Sequence, residues 1–90
     1  MRFPKYYIGP MSKNVVDCII NHKHFIGFIP SRRQIDFSGG YVNGWNTESF
    51  TKYVKDKNPS VLICRDHGGE GQGQVEDDGM ESFYKDAQYF

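Results

Sequence analysis

The chain has 90 residues, of which eleven are basic and eleven acidic, so it carries no net charge at pH 7. This length suits one small domain and falls far short of the roughly 250 residues of a closed (β/α)8 barrel. Without a stripe of Lys and Arg there is no electrostatic basis for binding nucleic acid. No apolar run approaches the roughly 20 residues that cross a bilayer, so we expect a cytoplasmic protein with no membrane partner.

The first predicted unit is a strand followed by a helix. Residues 5–9 form a short aromatic and β-branched run that ends at Gly9-Pro10, as strands often do. Ser12 offers an N-cap for a helix over residues 12–22. The apolar positions on one face of that helix are Val15, Val16, Ile19 and Ile20.

The second unit repeats the pattern. Residues 25–30 are predicted to form a strand, and a helix over residues 47–56 follows, capped by Asn46 or Thr47. The expected buried face of this helix consists of Phe50, Tyr53 and Val54.

A third unit completes the predicted order βαβαβα. Residues 61–65 read as a buried strand, and residues 79–90 as a helix opened by a capping box of Asp78 and Glu81. Apolar residues recur at helical spacing in this last helix, namely Met80, Phe83, Tyr84 and Ala87. The sequence therefore predicts an α/β fold: about three units of a (β/α)8 TIM barrel, with residues 1–90 as a single truncated amino-terminal portion.

Parallel strands bring their carboxyl ends to one edge of the sheet, which we call the rim. The two connections that follow strands at the rim are long, sixteen residues over 31–46 and fourteen over 66–79. Eight of the ten glycines fall within them. Because long ordered connections are usually functional, the sequence predicts one working face at the rim.

Several candidate binding residues follow the second predicted strand. Arg32 and Arg33 are placed to hold a phosphate or carboxylate, or are solvated charges. Gln34 could donate to a substrate hydroxyl or cap the local backbone. The aromatic residues of this loop are expected to pack it onto the fold rather than stack on a substrate: Phe37, Tyr41 and Trp45.

Glycine clusters allow backbone N–H groups to approach phosphate or carbonyl oxygens, although a solvated loop is the alternative. The glycines in question are Gly39, Gly40, Gly68 and Gly69. The two cysteines, Cys18 and Cys64, lie inside apolar runs and fit neither a disulfide framework nor a metal-binding pair. We expect both to be buried, reduced thiols.

An acid and a histidine stand side by side just after the third predicted strand. In the alternation of that strand, Leu62, Cys64 and Asp66 share one face, and Ile63, Arg65 and His67 share the other. Asp66 would then lie near a ligand at the rim. His67 could bind Zn²⁺ or donate to a substrate oxygen. The alternative is an Asx-type turn at Asp66 with His67 as an exposed loop residue.

Three segments carry a family resemblance. Residues 31–41, 47–50 and 65–69 look like the amino-terminal third of the tagatose-bisphosphate aldolase family, related to class II aldolases, and most resemble its accessory, non-catalytic or chaperone-like branch. The resemblance covers most of residues 6–90. Arg32-Arg33 and the continuation Gly69-Glu70-Gly71 depart from the family pattern, which suggests a different substrate preference.

The resemblance implies a (β/α)8 barrel lyase that splits a ketose bisphosphate by metal-assisted aldol chemistry, or the subunit that supports one. Asp66 would exchange the proton on the aldol hydroxyl, and His67 would bind a divalent metal, Zn²⁺. The partners would be a small phosphorylated sugar and an aldolase subunit or a second copy. Further metal ligands are expected beyond Phe90, so the 90-residue chain alone is expected to be inactive. A freestanding binding module remains the third alternative.

Overall fold

The computed structural model of this protein describes residues 4–21, 26–36, 39–67 and 79–90. The elements in chain order are β1 (Tyr6–Ile8), α1 (Lys13–Ile20), β2 (Ile26–Phe28), α2 (Thr47–Lys57) and α3 (Met80–Tyr89). The α/β class predicted from the sequence is confirmed. Among these residues, no helix has the length and apolar character needed to cross a membrane.

The strands form a small parallel sheet. In β1 and β2, Tyr7 lies opposite Gly27 and Ile8 opposite Phe28. Residues 61–66, which we call the bridging segment, run beside β2 in the same direction. Two isolated parallel bridges connect them, one between Ile63 and Phe28 of β2 and one between Asp66 and Ser31, just past β2. Because all three segments run in the same direction, their carboxyl ends meet at one edge, as expected.

The prediction of a regular third strand over residues 61–65 is wrong, and Pro30 explains why. The backbone N–H of Cys64 donates to the Phe28 carbonyl at 3.0 Å, and that of Asp66 donates to the Pro30 carbonyl at 2.9 Å. The intervening bond would need an N–H on Pro30, which proline lacks. The ladder therefore breaks into separate bridges.

The helix caps follow the sequence in two of three cases. Ser12 caps α1 by accepting from the Val15 N–H at 3.2 Å. Asn46, rather than Thr47, caps α2, and its side chain exchanges hydrogen bonds with Ser49 in a capping box. The N-cap of α3 is Gly79 at φ 79°. The predicted capping box depends on Asp78, which lies outside the described residues.

The core lies between the sheet and the helices, and aromatic rings fill its centre. Phe28 and Phe50 meet edge to face with ring centroids 5.6 Å apart, and Trp45 lies 5.5 Å from Phe50. Each such ring contributes about 1.5 to 3 kcal/mol by leaving water. The buried apolar residues are Val16, Ile20, Phe28, Ile35, Val42, Trp45, Phe50, Val54, Val61 and Ile63.

Three of these core residues come from the long connection after β2, not from a helix or strand. Ile35, Val42 and Trp45 are buried, which confirms that Trp45 packs the loop onto the fold. Tyr41 is exposed, so the same prediction for it is wrong. Its neighbour Val42 takes the inward position instead. Phe37 lies outside the described residues.

The cysteines are both free, but only one is sheltered. Cys18 is exposed, so the prediction of a buried thiol is wrong there. It lies on the side of α1 opposite Val16 and Ile20, the two helix residues that enter the core. Cys64 in the bridging segment is half-buried.

The inner face of α3 carries polar side chains, Ser82 and Asp86. Ser82 is buried on its inner face, whereas the apolar residues that its periodicity marks are exposed. One contact that holds α3 in place is a bidentate ion pair between Arg65 and Asp86. Nε donates to Oδ2 at 3.0 Å, and Nη2 donates to Oδ1 at 2.7 Å. The guanidinium also lies 4.9 Å from the centre of the Phe90 ring.

The other N–H groups of Arg65 bind the connection after β2 and the start of α2. Nη1 donates to the carbonyls of Ser31 and Ile35, at 3.2 and 2.9 Å. Nη2 also donates to the Thr47 hydroxyl at 3.0 Å. All five donors of the guanidinium are thereby used. Arg65 joins three parts of the chain that are distant in sequence.

We expect Arg65→Lys to lower the free energy of unfolding by about 2 to 4 kcal/mol, because an ammonium cannot replace the bidentate fork of a buried pair. Urea unfolding followed by circular dichroism measures the change. The matched control is Arg33→Lys, the same substitution at an exposed arginine, for which we expect a much smaller effect. Equal losses from the two variants would contradict the central role of Arg65.

Candidate functional site

The candidate site lies at the rim, where the ends of the three parallel segments come together. Ser31, just past β2, is the bridge partner of Asp66 at the end of the bridging segment. The Gln34 amide nitrogen lies 3.4 Å from the position that a Cβ on Gly9 would occupy, just past β1. The rim therefore gathers Gly9, residues 31–36 and the Asp66-His67 pair, as the sequence predicts.

Asp66 and His67 form an accessible polar pair at this rim. The Asp66 Oδ2 atom lies 3.0 Å from Nδ1 of His67, and the two side chains are 47% and 68% exposed. The backbone of His67 takes a left-handed conformation with φ 50°, which turns the chain away from the segment direction. Both side chains are thus open to a ligand in solution.

The thiol of Cys64 lies close enough to Asp66 for the carboxylate to affect its pKa. Burial, and to a smaller extent the negative charge of Asp66, raise the pKa of the Cys64 thiol above its ordinary value. This agrees with the predicted alternation, in which Cys64 and Asp66 share one face of the segment. The thiol is therefore a poor nucleophile at neutral pH, because little thiolate is present.

The His67 ring is held through Nδ1, so Nε2 is the nitrogen that a metal or substrate oxygen would meet. A carboxylate that fixes one ring nitrogen while the other binds a metal is a common arrangement in metalloproteins. A catalytic zinc site, however, takes three protein ligands. Within residues 4–21, 26–36, 39–67 and 79–90, no group of three or more His, Cys, Asp or Glu side chains is arranged to hold a metal. Asp66 and His67 alone do not make a complete site.

The two adjacent arginines occupy different environments. Arg32 is buried, with 6% of its surface exposed, whereas Arg33 is exposed. The backbone carbonyl of Arg33 accepts from the Tyr41 N–H at 3.0 Å, which ties the two halves of the connection together. Of the two, Arg33 is the one that solvent-borne anions can reach.

Gln34 caps the local backbone, one of the two alternatives that its sequence position left open. Its Oε1 atom accepts from the Ser31 N–H at 2.9 Å, and its own N–H donates to the Ser31 hydroxyl at 3.2 Å. These reciprocal bonds close the turn after β2. Gln34 therefore shapes the rim from within.

The packing of the loop explains why residue 40 is a glycine, without any ligand. It adopts φ 54°, and a Cβ at this position would lie 2.6 Å from the Trp45 carbonyl oxygen and closer still to that of Gln34. Gly39 has φ 80° and donates to the Asp36 carbonyl at 3.0 Å. Two glycines predicted to bind substrate are thus explained by close packing. The other two, Gly68 and Gly69, lie outside the described residues.

A second polar region was missed by sequence reasoning. Thr47 is buried at the start of α2, accepts from Arg65 and donates to Asp36 at 3.0 Å. Beside it lies a cavity of about 190 Å³ lined by Asp36, Asn46, Thr47, Glu48, Lys85, Gln88 and Tyr89. One signal was available: Arg65 shares the inward face of its segment with Ile63, and an arginine at such a position must find partners.

Comparisons of the chain with protein-family models, with curated proteins and with solved structures found no match. The resemblance to the aldolase family therefore stays a prediction.

We expect Gly40→Ala to destabilise the protein more than Gly44→Ala. Both residues have positive φ, so the backbone strain is comparable, but a Cβ on Gly44 would meet only the Gly39 carbonyl oxygen, at 3.6 Å. The difference between the two variants isolates the steric clash, which we expect to cost about 1 to 3 kcal/mol. Thermal unfolding measures it. Equal melting temperatures would show that Gly40 is not needed for packing.

We expect Asp66→Asn to shift the pH dependence of the rate of Cys64 alkylation to lower pH. The rate is measured in a Cys18→Ser background, so that only one thiol reacts. Loss of the negative charge removes the smaller of the two causes that raise the Cys64 pKa. Part of the upward shift should remain, because burial is unchanged. The control is Glu48→Gln, which should leave the profile in place. If the profile does not move in Asp66→Asn, the charge of Asp66 does not raise the pKa of Cys64.

Proposed function

We propose that this chain forms the first units of a (β/α)8 barrel similar to tagatose-bisphosphate aldolases and acts in sugar-phosphate metabolism. The activity would be that of a lyase, the metal-assisted aldol cleavage of a ketose bisphosphate. The observation that best supports the proposal is the exposed Asp66-His67 pair at the carboxyl end of a parallel segment, next to the connection that follows β2.

The arrangement of the layers is compatible with a barrel. Ile8, Phe28 and Ile63 lie level with one another across the three segments, and Phe28 and Ile63 pack into the core with the helices. Leu62 and Cys64 point to the opposite side and are only half-buried. In a barrel that second face would be the interior.

In the proposed site each accessible residue has a role, and Asp66 has two. His67 would supply one metal ligand through Nε2, with Asp66 fixing its ring, and other donors would complete the site. The metal would polarise the substrate carbonyl when bound. Asp66 would exchange the proton of the aldol hydroxyl. Arg33 would contact a substrate phosphate, and Arg32, being buried, would support the loop that carries it.

The second candidate is a non-catalytic accessory subunit that stabilises a partner aldolase. One observation favours it: Gln34, Gly39 and Gly40, which are substrate-binding candidates by sequence, contact the chain itself. If these residues serve mainly to hold the connection after β2 in place, the rim is suited to a supporting subunit rather than to a catalytic one.

Zinc titration by calorimetry of the complete, metal-free barrel, of which this chain is proposed to form the first units, tests the catalytic proposal. We expect binding that His67→Ala abolishes and that Asp66→Asn weakens about 10- to 100-fold, since the carboxylate orients the ring. The matched control is His24→Ala, a second histidine outside the described residues, which should bind zinc as the unaltered protein does. Zinc binding that is unchanged in His67→Ala would contradict the catalytic proposal and favour the accessory subunit.

A further inference from the structure

The cavity of about 190 Å³ beside Thr47 lies between the start of α2, the connection after β2 and α3. Each described residue that lines it carries a polar group. Four of them are exposed, so solvent reaches the cavity: Asn46, Glu48, Lys85 and Gln88. Because a water molecule in the liquid takes roughly 30 Å³, the cavity suits an occupant of about six or seven non-hydrogen atoms.

The charged groups of this cavity are divided between its walls. Asp36, from the connection after β2, and Glu48, from the first turn of α2, supply two carboxylates. Lys85 supplies an ammonium group from the wall that α3 forms. The cavity therefore presents negative charge on one wall and positive charge on another, from stretches of the chain that are distant in sequence.

The carboxylate of Asp36 is held beside the cavity with acceptor capacity to spare. Its Oδ1 atom accepts from the Thr47 hydroxyl at 3.0 Å, which uses one of the roughly four acceptor positions of a carboxylate. The backbone of Asp36 has φ 126°, a conformation that is strained for any residue with a side chain. The bond to Thr47 fixes the side chain in place, and the remaining acceptor positions can take donors from an occupant.

Lys85 can bind an occupant without losing a strong contact. Its Nζ atom lies 3.7 Å from Oε1 of Glu81, and the two side chains are 46% and 88% exposed. An ion pair as exposed as this contributes little, and an ammonium group carries three donors. Gln88 and Tyr89 add an amide and a hydroxyl to the same wall. This wall is suited to a carboxylate.

We propose that this cavity binds a small α-amino acid as a zwitterion, with its ammonium group on Asp36 and Glu48 and its carboxylate on Lys85. The inference is independent of the proposed function, because the site uses neither Asp66 nor His67. A simple anion would meet two carboxylates, and a simple cation would meet the ammonium group of Lys85. A metal ion is disfavoured, since the described part of the chain holds no group of three or more His, Cys, Asp or Glu arranged for one. A zwitterion satisfies both walls, and glycine and serine have the required size.

The first test compares ligands, by nuclear magnetic resonance titration of the isotope-labelled full chain. We expect L-serine to bind with a dissociation constant of about 0.1 to 1 mM and to shift the amide signals of Thr47 and Lys85. Ethanolamine lacks the carboxylate of serine, and glycerate has a hydroxyl in place of its ammonium group. Each should bind at least about tenfold more weakly. The proposal is overturned if neither serine nor glycine binds at about ten times that concentration, or if ethanolamine or glycerate binds as tightly as serine.

The second test removes one charge at a time from the cavity. Lys85→Gln and Asp36→Asn should each weaken serine binding about tenfold. Asparagine at position 36 still accepts from Thr47 and tolerates positive φ, so the fold should be kept, which far-ultraviolet circular dichroism checks. The matched controls are Lys52→Gln and Asp56→Asn, at exposed positions of α2 outside the cavity, and they should leave the dissociation constant unchanged. Equal affinity in the cavity variants and the controls would overturn the proposal.

Discussion

The guanidinium of Arg65 is the contact on which the arrangement of the described chain depends. Its donors reach the turn after β2, the first residue of α2 and the carboxylate of Asp86 in α3. A buried arginine carries a large desolvation cost, and only a full set of partners offsets it. These partners come from three separate stretches, so their positions are fixed relative to one another once the arginine is satisfied. The apolar core holds the sheet to the helices, and Arg65 adds the orientation that apolar contacts leave open.

That constraint also explains how polar groups are divided at the rim. Arg65 and Thr47 point inward and are used in holding the fold, whereas Asp66 and His67 follow immediately and point to solvent. Strand alternation makes this division sharp, because the interior cation of Arg65 and the exposed carboxylate of Asp66 belong to consecutive residues. The candidate chemistry and the main structural clamp are therefore neighbours in sequence. A change at residue 65 acts on the geometry of residue 66 as well as on stability.

Much of the fold follows from patterns that local physics controls. The parallel strands, the helices α1 and α2 and their caps at Ser12 and Asn46 match the prediction, because apolar periodicity and capping chemistry act over a few residues. The errors arise where distant contacts decide. The periodicity of α3 could not reveal that Arg65 would capture Asp86 and turn the apolar face outward. Gly40 looked like a ligand-binding residue because its steric reason, the approach of two backbone carbonyls, exists only in the folded loop.

The missing N–H of Pro30 has a consequence for how the rim moves. Beyond that gap the N–H of Asp66 donates to the Pro30 carbonyl, and an isolated bridge to Ser31, rather than a regular ladder, ties the end of the bridging segment to the sheet. A segment secured in this way can open and close over a short length while the bonds around Phe28 stay intact. Amide hydrogen exchange at residue 66 would then be faster than at residue 64, in a local fluctuation that spares the core. Adjustment of the acid and the imidazole to an incoming molecule would need no wider unfolding.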